Sequence, residues 1–186
     1  DIDSSNGART GSISVDACKD IGCTFSIIGH SERREFFHES NLEIKDKLIT
    51  AQANNMQVIL CVGETKEHHQ SNTTNNFLQN QITESLANLE LSDGFMIAYE
   101  PVWAIGTGDT PQSSEINAIH KFIKDIVQST SKNNFTPNVI YGGSVSSKNA
   151  EVLFNEKHID GALIGGASLN GKEFAQIANI YKDRGF

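Results

Sequence analysis

The chain has 186 residues, of which 38% are hydrophobic and 20% charged, a globular composition without the bias of disordered or fibrous chains. Its formal net charge of −8 disfavours nonspecific binding to nucleic acid or to a membrane surface, so an anionic ligand has to be attracted by a local site. No apolar run approaches the roughly 20 residues needed to span a bilayer, and no basic-then-apolar signal segment opens the chain, which starts at Asp1. A cytoplasmic protein of one domain, residues 1–186, is expected.

In chain order, the first strand is expected at Phe25–Gly29 (FSIIG), followed by a helix whose first turn is Ser31–Arg34 and by an amphipathic stretch over Leu42–Ala53. A second strand, Gln57–Val62 (QVILCV), precedes a helical pattern over Thr73–Leu89 with Phe77, Leu78, Ile82 and Leu86 on one face. A third strand at Phe95–Tyr99 leads, through a helix start marked by Pro111, Ser113 and Ser114, to Ser114–Val127, with Ile116, Ile119, Phe122, Ile123 and Ile126 in its stripe. Strands at Asn138–Tyr141 and Gly161–Ile164 alternate with helices at Lys148–Phe154 and Lys172–Ile180. Each strand is a nearly continuous apolar run, as in parallel sheets covered by helices on both faces. The β-α alternation predicts right-handed crossovers and an α/β fold. Periodicity leaves an open doubly wound sheet and an incomplete (β/α)8 barrel both standing.

The polar residues gather just after the strands: GHSER, GET, EPVWAIGTG, GGSV and GGAS. Both parallel architectures place their active sites at that end. No GxGxxG follows a strand, which weakens a dinucleotide-binding reading. Glu100 precedes Pro101 and the apolar Val102, Trp103 and Ile105, with Gly106 and Gly108 beyond. A rigid start, an apolar middle and terminal glycines are the build of a hinged lid, and a carboxylate sealed beneath one is a better proton acceptor. The plain alternative is an exposed Glu before a turn. His30 stands before the first turn of a helix, whose partial positive charge disfavours an imidazolium; a neutral ring there can donate to a substrate oxygen. The plain alternative is a structural histidine. The pairs Gly142–Gly143 and Gly165–Gly166 can bring backbone N–H groups close to a phosphate, and a short helix after the second would add its dipole. Taken singly, each pair reads as a turn.

Other candidates carry less. His68 and His69, in KEHHQ, read as a solvated helix entry and not a metal site, and His38, His120 and His158 lack ligand-spaced partners. Cys18, Cys23 and Cys61 form no CxxC pair and read as reduced thiols. No metal or cofactor is expected.

Taken together, IIGHSERR, CVGET, AYEPVWAIGTG, YGGSV and DGALIGGASL resemble, in order and spacing, the triosephosphate isomerase family, and NGARTG near the start resembles that family's third loop. The resemblance covers essentially the whole chain and favours the barrel over the open sheet. It implies that Glu100 is the catalytic base and His30 the electrophile. It implies that Gly106, Ser144, Gly165 and Gly166 bind the substrate phosphate, that Ser31 and Glu32 stand behind the histidine, and that Thr10 reaches into the partner of a homodimer. The implied reaction, in glycolysis and gluconeogenesis, interconverts D-glyceraldehyde 3-phosphate and dihydroxyacetone phosphate through an enediolate, without a cofactor.

A barrel of this kind has about 250 residues and eight strands. The resemblance begins just before the third loop, so the chain corresponds to the fourth to eighth strands, and the family's Asn and cationic Lys after the first strand have no counterpart. The expectation is an active complete gene product and an inactive or nearly inactive 186-residue stretch. Two alternatives remain open at this point: another phosphate-binding (β/α)8 enzyme, and a truncated, non-catalytic gene product.

Overall fold

The computed structural model describes residues 1–105 and 110–183. Five strands form one sheet in the order β1-β2-β3-β4-β5: Phe25–Ile28, Gln57–Val62, Met96–Tyr99, Asn138–Tyr141 and Gly161–Ala162. Every neighbouring pair is parallel. Each strand pairs with the next in sequence, so the strand order never reverses. A doubly wound sheet must reverse its order at a switch point. The sequential order is that of a (β/α)8 barrel, of which this α/β chain forms an incomplete part with five strands.

The helices are α1 (Val15–Asp20), α2 (Ser31–Phe36), α3 (Asn41–Ala53), α4 (Lys66–Gln70), α5 (Thr74–Leu86), α6 (Ser113–Thr130), α7 (Ala150–Phe154) and α8 (Gly171–Lys182). Two 3-10 turns, Val102–Ala104 and Gly166–Leu169, follow β3 and β5. Helix α3 starts where it does because Ser40 and Glu43 close a reciprocal capping box. Neither α1 nor α4 was legible as an apolar stripe. Only Val15 of α1 is buried, and that helix is set by Ser14, whose Oγ accepts from the Ala17 N–H at 3.2 Å.

Successive strand residues face opposite sides of the sheet. Ile28, Leu60, Ile97, Tyr99, Val139 and Tyr141 belong to the large core shared with the helices. Cys61, Ala98 and Ile140 form a separate cluster on the other face, with Ile27, Ile59 and Leu163 only partly buried against it. The expectation of strands buried on both faces therefore holds fully on the helix side and partly on the inner side. Strand β5 is shorter than the apolar run Gly161–Ile164, because β4 holds only Gly161 and Ala162 in register.

Helix α6 turns Ile116, Ile123 and Ile126 inward as its pattern predicts, leaves Ile119 and Phe122 only partly buried, and adds two buried residues that the pattern left out, Val127 and His120. That ring meets Tyr99 edge-on with centroids 5.8 Å apart, and burial pushes its pKa down to about 3, so it is a neutral core residue.

Candidate active site

The strand parity that sends Ala98 inward and Tyr99 outward sends the next residue, Glu100, inward at the mouth of the sheet. Its backbone is fixed on both sides: its N–H donates to the Val62 carbonyl at 2.8 Å, and the Gly142 N–H donates to the Tyr99 carbonyl at 2.7 Å. The strand ends crowd around it so tightly that two glycines are obligatory. A Cβ on Gly63 would lie 1.7 Å from the Glu100 carbonyl oxygen, and one on Gly142 would lie 2.8 Å from the Glu100 Cγ. Glu100 is 2% exposed.

Its carboxylate is nonetheless fully engaged. Oε2 accepts the Ser31 backbone N–H at 3.0 Å, and Oε1 lies 3.0 Å from His30 Nε2. His30 is the N-cap of α2, and its Nδ1 accepts the Glu32 backbone N–H at 3.2 Å. A ring nitrogen that accepts a hydrogen bond carries no proton, so the neutral ring holds its proton on Nε2, where it is donated to Glu100. The helix terminus was expected to disfavour the imidazolium. Here the hydrogen bond and charge of Glu100 outweigh burial and raise the pKa of His30. Ser31 also differs from expectation: its backbone bonds Glu100 directly and does not merely stand behind the histidine.

Gly29, the residue before His30, has φ +72° and leaves room for the Arg34 guanidinium, which would lie 3.1 Å from a Cβ there. Arg34 Nε donates to the Gly29 carbonyl at 2.8 Å and Nη2 to the Cys61 carbonyl at 3.2 Å, tying the ends of β1 and β2 together beneath the site. The Cys61 thiol is buried beside Glu100, and that burial, together with the carboxylate charge, pushes its pKa well up. Gly63, Gly142, Arg34 and Cys61 were not singled out for these roles. For Cys61, Gly63 and Gly142 the only sequence signal was their position at strand ends; Arg34, inside α2, carried none.

The cleft in front of Glu100 has a volume of about 450 Å³. It is lined by His30, Glu32, Ile105, Ser144, Gly165 and Gly166, among others, so the structure gathers five of the predicted site residues, His30, Glu32, Ser144, Gly165 and Gly166, together with Glu100 around one space, Ser31 touching it from behind. Neither Gly165 nor Gly166 would bring a Cβ within 4 Å of another atom, so that side of the cleft is open to a ligand. The short helix expected after this pair is the four-residue 3-10 turn Gly166–Leu169. Ser144 Oγ donates to the Ala104 carbonyl at 3.3 Å and links the fourth strand end to the turn after Glu100. Gly106 lies outside the described residues. Thr10 is exposed in the loop before α1, away from the cleft lining.

A second carboxylate, Glu64, lies two residues past the end of β2 and is wholly buried. It accepts from the Trp103 indole N–H at 2.7 Å and from the Tyr99 hydroxyl at 3.1 Å. Burial raises its pKa, opposed by those hydrogen bonds.

The family model for triosephosphate isomerase matches residues 2–181. The chain belongs to the triosephosphate isomerase family. Curated triosephosphate isomerases similar to it include that of Chlorobium luteolum, 43% identical over 92% of this chain and 70% of the relative. That of Mycoplasma mobile is 43% identical over 92% of this chain and 69% of the relative. That of Flavobacterium psychrophilum is 41% identical over 94% of this chain and 71% of the relative. The chain thus spans about 70% of the length of these family members. Family membership agrees with the sequential parallel strand order and with the chemistry at the strand ends.

Proposed function

We propose that residues 1–186 form a single partial barrel domain that carries the proton-transfer machinery of a triosephosphate isomerase, interconverting D-glyceraldehyde 3-phosphate and dihydroxyacetone phosphate. The observation that carries the reading is the contact between buried Glu100 and His30 Nε2, 3.0 Å apart, at the floor of a cleft walled by Ser144, Gly165 and Gly166.

The chemistry follows from that contact. In the observed arrangement the Glu100 carboxylate is held by Ser31 N–H and by His30. To abstract a proton from the carbon beside a carbonyl it must leave both, and its departure frees the His30 Nε2–H. That N–H can then donate to the substrate carbonyl oxygen while Glu32 N–H keeps Nδ1 as an acceptor, so the ring polarises the carbonyl as a neutral donor. Glu100 returns the proton to the neighbouring carbon, and His30 moves protons between the two oxygens of the enediolate. Exclusion of water protects the enediolate phosphate from elimination. Ser144, Gly165, Gly166 and Gly106 bind the phosphate, with hydroxyl and backbone N–H donors compensating an overall acidic chain.

The described residues that line the cleft include no lysine or arginine. The reading therefore assigns full rates to the complete gene product and poor turnover to the 186-residue stretch alone. It also places the protein in the cytoplasm as a homodimer in which Thr10 contacts the partner. The relatives named above share one activity in their names, which disfavours the alternative of a different phosphate-binding barrel enzyme.

The test is isomerisation of both triose phosphates by the complete gene product in deuterium oxide. Turnover in both directions with deuterium incorporated at the carbon next to the carbonyl is expected. Turnover without any solvent exchange, or none with either triose phosphate, overturns the reading.

A further inference from the structure

The pair His68–His69 was set aside as a solvated helix entry, and the structure separates the two residues. His68 Nδ1 lies 2.8 Å from Thr65 Oγ1 and its ring sits 4.0 Å from Phe77. His69 turns the other way: its ring lies on the Trp103 indole, centroids 4.0 Å apart and planes inclined by 21°. Its Nδ1 is also 4.0 Å from Glu64 Oε1, the oxygen that accepts the Trp103 N–H. Trp103 is three residues past Glu100, in the 3-10 turn Val102–Ala104. The same turn is tied to Glu64 a second time, by the Val102 N–H on the Glu64 carbonyl at 3.2 Å. The indole is thus held in-plane by a carboxylate and on its face by an imidazole.

We propose that His69 is a positioning residue: with Glu64 it clamps Trp103 and so fixes the turn that follows Glu100, and the clamp tightens when the imidazole takes up a proton. A protonated ring on an indole face gains a cation–π attraction, and the same proton turns the contact with Glu64 into an ion pair. The His69 side chain is 35% exposed, so solvent protons reach it. The groups around it leave Glu64 as its charge partner. Its own helix α4 supplies Lys66, Glu67 and His68; α5, packed against α4, supplies Glu84, which accepts from Asn41 Nδ2; the 3-10 turn supplies no charge; and the strand ends beneath supply Glu64 and the neutral Tyr99 phenol bonded to it. The catalytic meaning of the clamp rests on the isomerase reading, because only there does Glu100 have to leave Ser31 and His30. The clamp itself does not.

Trp103 is the chain's single tryptophan, so its fluorescence reports this contact directly. Protonated imidazole in contact with an indole quenches its emission. A titration of the intact chain from about pH 8 to 5, the window in which imidazoles gain charge, should lower the Trp103 emission. His69→Phe, which keeps a ring on the indole but cannot be protonated, should lose that response while protecting Trp103 from acrylamide as well as the parent chain does at pH 8. His69→Gln should lose both the response and the protection, and His68→Gln neither. A response that survives in His69→Phe, or unchanged acrylamide access in His69→Gln, overturns the proposal. Because the readout needs no turnover, its failure and failure of the isomerase reading are separate results.

Discussion

Glu64 and Glu100 sit at adjacent strand ends of the same sheet, both with almost no exposed surface, and they are held in different ways. The acceptors of Glu64 are occupied by two side chains, Tyr99 and Trp103, that are themselves packed in place. The acceptors of Glu100 are occupied by a backbone N–H at a helix start and by a histidine that stays half open to the cleft. The first arrangement makes a fixed post. The second makes a carboxylate that can exchange its partners for a substrate, because neither partner has to be rebuilt when it leaves. Burial alone therefore does not separate the two carboxylates; what separates them is whether their hydrogen-bond partners face a ligand cleft.

Substitutions can break this contrast, and the largest effect belongs to Glu100. Glu100→Gln in the complete gene product keeps the shape but not the base, and kcat should fall by about 10³-fold or more with little change in unfolding stability. An activity assay beside a urea titration checks both halves. Next comes Gly63→Ala, whose added carbon has to displace the Glu100 backbone, since it would sit 1.7 Å from that carbonyl oxygen. A loss of about 3 kcal/mol in urea unfolding is expected, together with a lower kcat.

Glu64→Ala acts on the post. It leaves the buried Trp103 N–H and Tyr99 hydroxyl without their acceptor, and about 2 kcal/mol should be lost in chemical unfolding. The smallest effect is a pH dependence. The His30 pKa is raised in the folded chain, so the stabilisation it contributes is fully present below the unfolded value of 6.5 and is lost as pH rises through the folded value. The stability gap between the parent chain and His30→Asn should accordingly be larger at pH 6 than at pH 8, and Glu100→Gln should abolish that difference. A gap that widens with pH would contradict the His30–Glu100 hydrogen bond.

Much of the fold was legible because it is written in local patterns. Gln57–Val62 and Asn138–Tyr141 were located to the residue, since a short apolar run between turn residues is enough to mark a buried strand. Helices with a one-sided stripe, such as Asn41–Ala53 and Ser113–Thr130, were found within a few residues of their ends. Among the short helices, α2 and α7 were anticipated, whereas α1 was not and α4 was read only as a polar helix entry, because those two bury too little to leave an apolar pattern. Within the site, Glu100, His30, Ser144, Gly165 and Gly166 were found by their place after strands and by the motifs they share with the family. The role of Gly63 was not, because its lack of a side chain matters only through a backbone from another strand.

By itself, the sequence determined the alternation of strands and helices, the polar character of each strand end and the family to which the chain belongs. Those properties depend on residues close together in the chain. The tertiary structure decided which polar groups meet: Ser31 with Glu100 across 69 positions, Glu64 with Trp103 across 39, and His69 with the same indole. Such contacts are set by strand register and helix packing, which bring distant segments together, and no local periodicity encodes them.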